Sequence, residues 1–334
     1  MGHRANYAIR EGARVELYRS HWGALDVPRD LFWGSESAVE FVRELSPVGG
    51  WMDEVFCEGG AAIDLDQRAL TLYGGEALLY EADLRPLYLE LLALSWEGWR
   101  VAWAYEGVTD LLRALSIDDE PYRSKLEKRT VSAEQVREFQ TAGGWAQSVF
   151  TVIEQDGRCS DFGSQMFAED LLPMGPKLIE LLMSGPRYEI SDEVRGSQGA
   201  LIDVRARQIA TFPQSFHRVP REQLQAVWPG WSIEVHTEGL AGQWRRSGRD
   251  PGVLQRSDDE VLKCLSEILL PKIEHDFLGM MQRLTADLSA EGKQVQVNPE
   301  AMRVFPSNVG PEQRASRFES LVQRWRRKRE AGTA

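Results

Sequence analysis

The chain has 334 residues, 43% of them hydrophobic and 27% charged, with 29 glycines and 15 prolines scattered along it; this excludes collagen-like and wholly disordered classes and predicts two domains, or one with large additions. Its formal charge of −12 resides entirely in residues 1–120, which hold 10 Arg, no Lys and 22 Asp plus Glu, so this part repels phosphate backbones and favours cationic partners. The cysteines Cys57, Cys159 and Cys264 lie too far apart for a zinc ribbon or a redox C-x-x-C, and neither a signal peptide nor a membrane-length apolar run is present, so a reducing cytoplasm is the expected setting.

In chain order, Ala5 to Ile9 and Val15 to Tyr18 flank the turn signal Glu11-Gly12 and predict an opening hairpin. A helix is predicted from about Ser35 to Leu45, with Val39, Val42 and Leu45 at helical spacing. Short strands over Glu54 to Cys57, Ala61 to Leu65 and Ala69 to Tyr73 are separated by Gly59-Gly60 and Asp66-Gln67, which reads as an antiparallel meander. Leu84 to Leu94 is an apolar helix entered through Pro86, and Trp99-x-Val101-x-Trp103-x-Tyr105 alternates with period two as a strand ended by Gly107. Residues 118–144 are charged and carry Ser132-x-x-Gln135, a capping box that marks a helical linker. A second hairpin, Ser148 to Ile153 with Arg158 to Ser160, precedes a helix at Leu178 to Leu182 behind Pro176. Ser257-Asp258-Asp259-Glu260 starts a long helical segment that Pro271 should break. A final helix over Pro311 to Arg329 ends in a basic cluster, which suits the helix dipole or docks on the acidic first part.

The strongest signal is an internal repeat. A shift of 140 aligns Ser20-His21-Trp22-Gly23 with Ser160-Asp161-Phe162-Gly163 and Asp30-Leu31 with Asp170-Leu171. A shift of 139 places Pro47 on Pro186, Asp53-Glu54-Val55 on Asp192-Glu193-Val194, Gly60 to Asp64 on Gly199 to Asp203, and Arg68 on Arg207. A shift of 132 then places Trp96-Glu97-Gly98-Trp99 on Trp228-Pro229-Gly230-Trp231, and Glu106-Gly107 on Glu238-Gly239. Ordered blocks that include two W-x-G-W sequences imply tandem duplication of a domain-sized unit. The predicted class is α+β: two copies of an antiparallel sheet with helices, at residues 1–117 and 147–256, a helical linker at 118–146, and a helical C-terminal extension at 257–334 that covers the second copy's sheet. At least one tryptophan of each W-x-G-W pair is expected beneath its helix.

Chemical signatures are sparse. No P-loop, dinucleotide or zincin motif occurs, so no cofactor or metal is predicted. Gly196-Ser197-Gln198-Gly199 lacks the nucleophile-elbow pattern, and Asp64-Leu65-Asp66, at a strand end, suits turn amides better than a cation. His21 is the one candidate acid/base residue, with Glu54 and Glu58 as the carboxylates that one sheet would bring to it. Cys57 lacks a neighbouring cation in sequence and is expected to be inert. The opening Gly2-His3-Arg4-Ala5-Asn6-Tyr7 with Ser20-His21-Trp22-Gly23 is similar to uncharacterised bacterial proteins and implies no activity. The leading expectation is a cytoplasmic interaction protein of immunity or antitoxin type whose acidic first copy binds a cationic protein, with Trp22, Trp33 and Trp51 as anchors if exposed. Membrane and nucleic-acid partners are not expected, since a short basic run on an acidic chain is a poor electrostatic footprint. The alternative is a hydrolase or transferase built on His21, Glu54 and Glu58.

Overall fold

The computed structural model describes residues 3–53, 56–122, 131–212, 221–270, 277–294, 299–303 and 305–332. The first copy runs β1 (Ala5–Glu11), β2 (Arg14–Ser20), α1 (Val27–Asp30), α2 (Ser35–Glu44), β3 (Ser46–Pro47), β4 (Gly59–Asp64), β5 (Ala69–Tyr73), α3 (Glu76–Tyr80), α4 (Arg85–Ser95), β6 (Arg100–Trp103) and α5 (Val108–Ala114). The linker supplies α6 (Ala133–Glu138) and β7 (Gln140–Thr141). The second copy runs β8 (Ser148–Ile153), β9 (Cys159–Ser164), α7 (Ala168–Leu171), α8 (Lys177–Met183), β10 (Gln198–Asp203), β11 (Gln208–Phe212), α9 (Arg221–Val227), β12 (Ser232–Val235) and α10 (Gly239–Arg246). The extension holds α11 (Asp258–Leu269), α12 (Phe277–Ala290) and α13 (Pro311–Glu330). Among the described residues, no helix is long and apolar enough to cross a membrane.

The fold is α+β, with two six-stranded sheets of order β3-β2-β1-β4-β5-β6 and β7-β9-β8-β10-β11-β12. Both sheets are mixed, which corrects the antiparallel expectation. β1 pairs antiparallel with β2 but parallel with β4, and β5 pairs parallel with β6; β8, β9, β10, β11 and β12 repeat this scheme. Parallel neighbours need a crossover, and the segments carrying α1, α2 and α4 supply it in the first copy. Gly60↔Tyr73 in the first sheet matches Gly199↔Phe212 in the second, and Ala69↔Arg100 matches Gln208↔Ser232. The edge position is filled differently: β3 follows its helix in the first copy, whereas the linker strand β7 fills it in the second.

Local chemistry explains the repeated blocks. Trp96 Nε1 donates to Leu31 O and Trp228 Nε1 to Leu172 O, each at 2.8 Å. Both indoles are fully buried, and their partners Trp99 and Trp231 pack edge-on with ring centroids 5.0 Å away. Arg68 and Arg207 adopt φ of 46° and 50° in the β-turns, and their carbonyls accept from Arg100 and Ser232, each at 2.8 Å. The two strand glycines are needed for close approach: a Cβ on Gly60 would lie 2.3 Å from Asn6 O, and one on Gly199 would lie 2.6 Å from Val149 O. Leu111 of α5 and Leu240 of α10 also press on these glycines. α5 follows Gly107 and α10 begins at Gly239, where the sequence pattern shows only a strand end. The capping box forms as expected, with Ser132 N–H donating to Gln135 Oε1 at 2.9 Å and Gln135 N–H to Ser132 Oγ at 3.2 Å.

By its internal contacts the chain divides into two compact units, residues 1–76, 86–124 and 262–334 in one, and residues 77–85 and 125–261 in the other. In the second unit, Phe150 and Val152 face a core built with α6, α7, α8 and α9, while Val149 and Phe212 pack under α10. Residues 77–85 join this unit through Arg256, which donates to both Asp83 oxygens at 2.9 and 3.0 Å and also pairs with Glu81. In the first unit, Tyr7 packs edge-on against Phe41 of α2, and Phe32 lies beside Tyr88 of α4. The extension was expected to cover the second copy, but from residue 262 onward it groups with the first. Phe318, Leu321 and Trp325 form the buried face of α13, and Phe318 lies 6.4 Å from Phe32. α11 ends at Leu269, before Pro271, which lies outside the described residues.

Candidate functional site

His3, His21 and Glu58 come to one end of the first sheet because β1 begins, β2 ends and β4 begins there. Glu58 N–H donates to Arg4 O at 2.9 Å, which aims its carboxylate at His3 Nδ1, 2.7 Å away. Glu58 therefore pairs with His3, and the expected Glu58–His21 pairing is not formed. The half-buried His21 ring stands edge-on to Trp22 with centroids 4.9 Å apart. Glu54 lies outside the described residues, and the strand expected at Glu54 to Cys57 is absent where described: Phe56 is in a turn and Cys57 in a loop. Burial pushes the Cys57 thiol up to about 11, and its sulfur donates to Gly59 O at 3.1 Å, an environment that disfavours the thiolate. Among the described residues, no group of three or more His, Cys, Asp or Glu side chains gathers as a metal site.

Two of the three tryptophan anchors are buried. Trp22 is 6% exposed and donates to Ala301 O at 2.9 Å, while Trp33 is 3% exposed. The extension, from far along the sequence, packs on the first copy here, meeting Trp22 through Ala301 and the Trp33 carbonyl through Arg317. Trp51 is half-buried. Phe56, 53% exposed beside Arg4, is the large apolar side chain that the first copy leaves open among its described residues.

The acidic charge does have a defined surface. Ala38, Phe41 and Val42 turn one face of α2 to the core, leaving Glu36, Glu40 and Glu44 exposed at successive four-residue intervals. Arg43, on the same helix, is drawn to Glu11 at 3.3 Å and Glu16 at 4.0 Å on the neighbouring hairpin. Like charges spaced i,i+4 repel by about 0.2–0.5 kcal/mol per pair, so the helix carries this stripe against its own stability. The matching α8 has a single acidic residue, Glu180. Carboxylates elsewhere do structural work: Asp64 accepts from Gln67 N–H at 2.8 Å, and Asp203 from Arg205 and Ala206 N–H at 2.9 and 3.0 Å.

Among the described residues, each copy also buries a polar cluster that the other lacks. In the first, Arg29 donates to Asp26 at 3.0 Å and Asp30 at 3.3 Å, with buried Arg314 of α13 close enough to act on Asp30. Burial pushes Asp30 up to about 7, against the pull of Arg29. In the second, Arg249 grips Asp161 with bonds of 2.6 and 2.9 Å and stacks 4.1 Å over Trp244. Thr151 Oγ1 donates to Asp161 at 2.6 Å and accepts from Gln243 Nε2 at 2.9 Å. Elsewhere in the second copy, Glu169 is pushed up to about 7 by burial, and His236 down to about 4 by burial and the Arg246 charge.

The indole bonds match Leu31 with Leu172, so Asp30 falls on Leu171 and not on Asp170, and the strand registers correct a second alignment. Ala5↔Ser20 and Ser148↔Ser164 are equivalent pairs, so Ser20 matches Ser164 and His21 matches Gln165, not Asp161. Asp161 matches Leu17 instead. With that register, Ala8, Leu17, Leu111 and Ile117 occupy the places of Thr151, Asp161, Gln243 and Arg249. A sequence alignment started from the strand pairs, not from the Gly23/Gly163 coincidence, would have shown the polar replacement. No family model, no curated protein and no solved structure matches this chain.

Proposed function

We propose that the protein is an interaction module whose first copy presents the acidic face of α2 to a cationic protein, in the manner of an immunity or antitoxin protein that neutralises a toxin. The supporting observation is the unbalanced row Glu36, Glu40 and Glu44, present in one copy and reduced to Glu180 in the other. Complementary charge of this kind speeds encounter and sets specificity, while apolar anchors supply affinity, and Phe56 replaces the buried Trp22 and Trp33 in that role. The pairing of Glu58 with His3 favours this reading over the acid/base alternative. The test is affinity isolation from source extract at low salt. A stoichiometric basic partner released by salt, and lost with Glu36→Gln, Glu40→Gln and Glu44→Gln together, is expected. Turnover of a substrate that His21→Ala abolishes in a folded protein would overturn the reading.

A further inference from the structure

We propose that α13 is a displaceable strap: it covers on the first copy a face that also accepts a basic amphipathic helix from outside the chain, so that strap and incoming helix compete. The proposal deepens the reading above, on which it rests, by naming the form of the cationic partner.

The strap holds on with chemistry that another cationic helix can reproduce. Arg317 donates to Trp33 O at 2.8 Å, Arg324 to Leu94 O at 3.5 Å, and Trp325 Nε1 to the Glu90 carboxylate at 2.6 Å, with Glu97 3.5 Å from Arg324. The acceptors are backbone carbonyls and carboxylates fixed on the first copy, and the apolar contribution comes from Phe318, Leu321 and Trp325 on one helix face. Asn308 also donates to Ser37 O at 2.8 Å, so the approach to the strap runs past the start of the acidic helix α2. The duplicated fold does not itself require a helix here. Leu31 O and Leu172 O are the equivalent indole acceptors and Trp96 matches Trp228, so the second-copy positions matching Phe32 and Leu94 are Pro173 and Ala226, and both are exposed. The fit of the first copy's covered face is also incomplete, because Trp33 Nε1–H is buried without an acceptor.

The experiment uses the full chain and a fluorescent synthetic peptide of residues 308–332. A variant carrying Arg317→Ala and Trp325→Ala weakens the strap without removing it. The expected result is peptide binding at least 10-fold tighter to the variant than to wild type, weakening with salt. Equal affinity for both, with the variant still folded by circular dichroism, would overturn the proposal. Should the variant fail to fold, amide exchange on wild type decides: α13 exchanging at least 100-fold faster than β4 supports a strap, and coincident exchange refutes it. The outcomes separate the two readings. Peptide binding without capture of a basic protein defeats only the interaction reading, and capture without peptide binding defeats only the strap.

Discussion

The two copies share one strand scheme and differ in what they place on it. Where the first copy sets Ala8, Leu17, Leu111 and Ile117, the second sets Thr151, Asp161, Gln243 and Arg249 joined by hydrogen bonds. The first copy instead buries Arg29 and Asp30 on α1, with half-buried Asp26 just before it and Arg314 of the extension close by. Backbone pairing and the tryptophan brackets therefore define the unit, while ionic groups can be moved from one side of it to the other. A buried ion pair adds little net stability over well-packed apolar residues, but breaking one is costly. The copies offer both sides of that rule within one chain.

The largest effect should fall on the shared frame. Trp96→Ala and Trp228→Ala are each expected to cost about 3–5 kcal/mol in denaturant unfolding, because both remove a fully buried indole and leave a carbonyl without its donor. A difference between them of more than about 2 kcal/mol would show that the copies use the bracket unequally. Next comes Asp161→Ala, expected to cost about 2–3 kcal/mol, somewhat less than for a fully buried pair because the Arg249 side chain is 27% exposed. Replacing the whole second-copy quartet by its first-copy counterparts, as Thr151→Ala, Asp161→Leu, Gln243→Leu and Arg249→Ile, should leave stability within about 1 kcal/mol of wild type or raise it. A larger loss would mean that the network performs work beyond packing.

The pH profile sharpens the comparison further. Asp30 and Glu169 both hold their protons in the fold up to about 7, above their ordinary values near 4. The native state therefore binds more protons between about pH 4 and 7, and each group's contribution to stability falls as pH rises through that window. His236 acts in the opposite sense: depressed to about 4, it is stable as the neutral ring above pH 6.5 and loses that contribution as pH falls from 6.5 towards 4. Asp30→Asn and Glu169→Gln should each flatten the decline with rising pH, and His236→Gln should steepen it, in urea titrations across pH 4 to 8. The smallest effect is at the surface. Glu40→Gln relieves repulsion with Glu36 and Glu44 and is expected to add a few tenths of a kcal/mol.

What the sequence made legible was local. The hairpins, α2, the capping box at Ser132 and the W-x-G-W brackets depend on residues close in the chain, and their side chains announce them. Parallel pairing of β1 with β4 was hidden, since it depends on a crossover and not on the strands' own composition. The short helices α5 and α10 start at or just after glycines that read as strand ends. Burial of Trp22 was equally hidden, because its acceptor, Ala301, lies 279 residues away. The same distance problem misdirected the site: Glu58 looked available to His21 until the start of β1 placed His3 beside it.

The proposed binding face lies on the first copy and not on the second. Salt-dependent capture of the basic partner should be compared for Glu36→Gln with Glu40→Gln and Glu44→Gln, and for the matched second-copy change Glu180→Gln. The first set is expected to weaken capture at least 10-fold at low salt while Glu180→Gln leaves it unchanged. Equal retention by both, or equal loss, would contradict it.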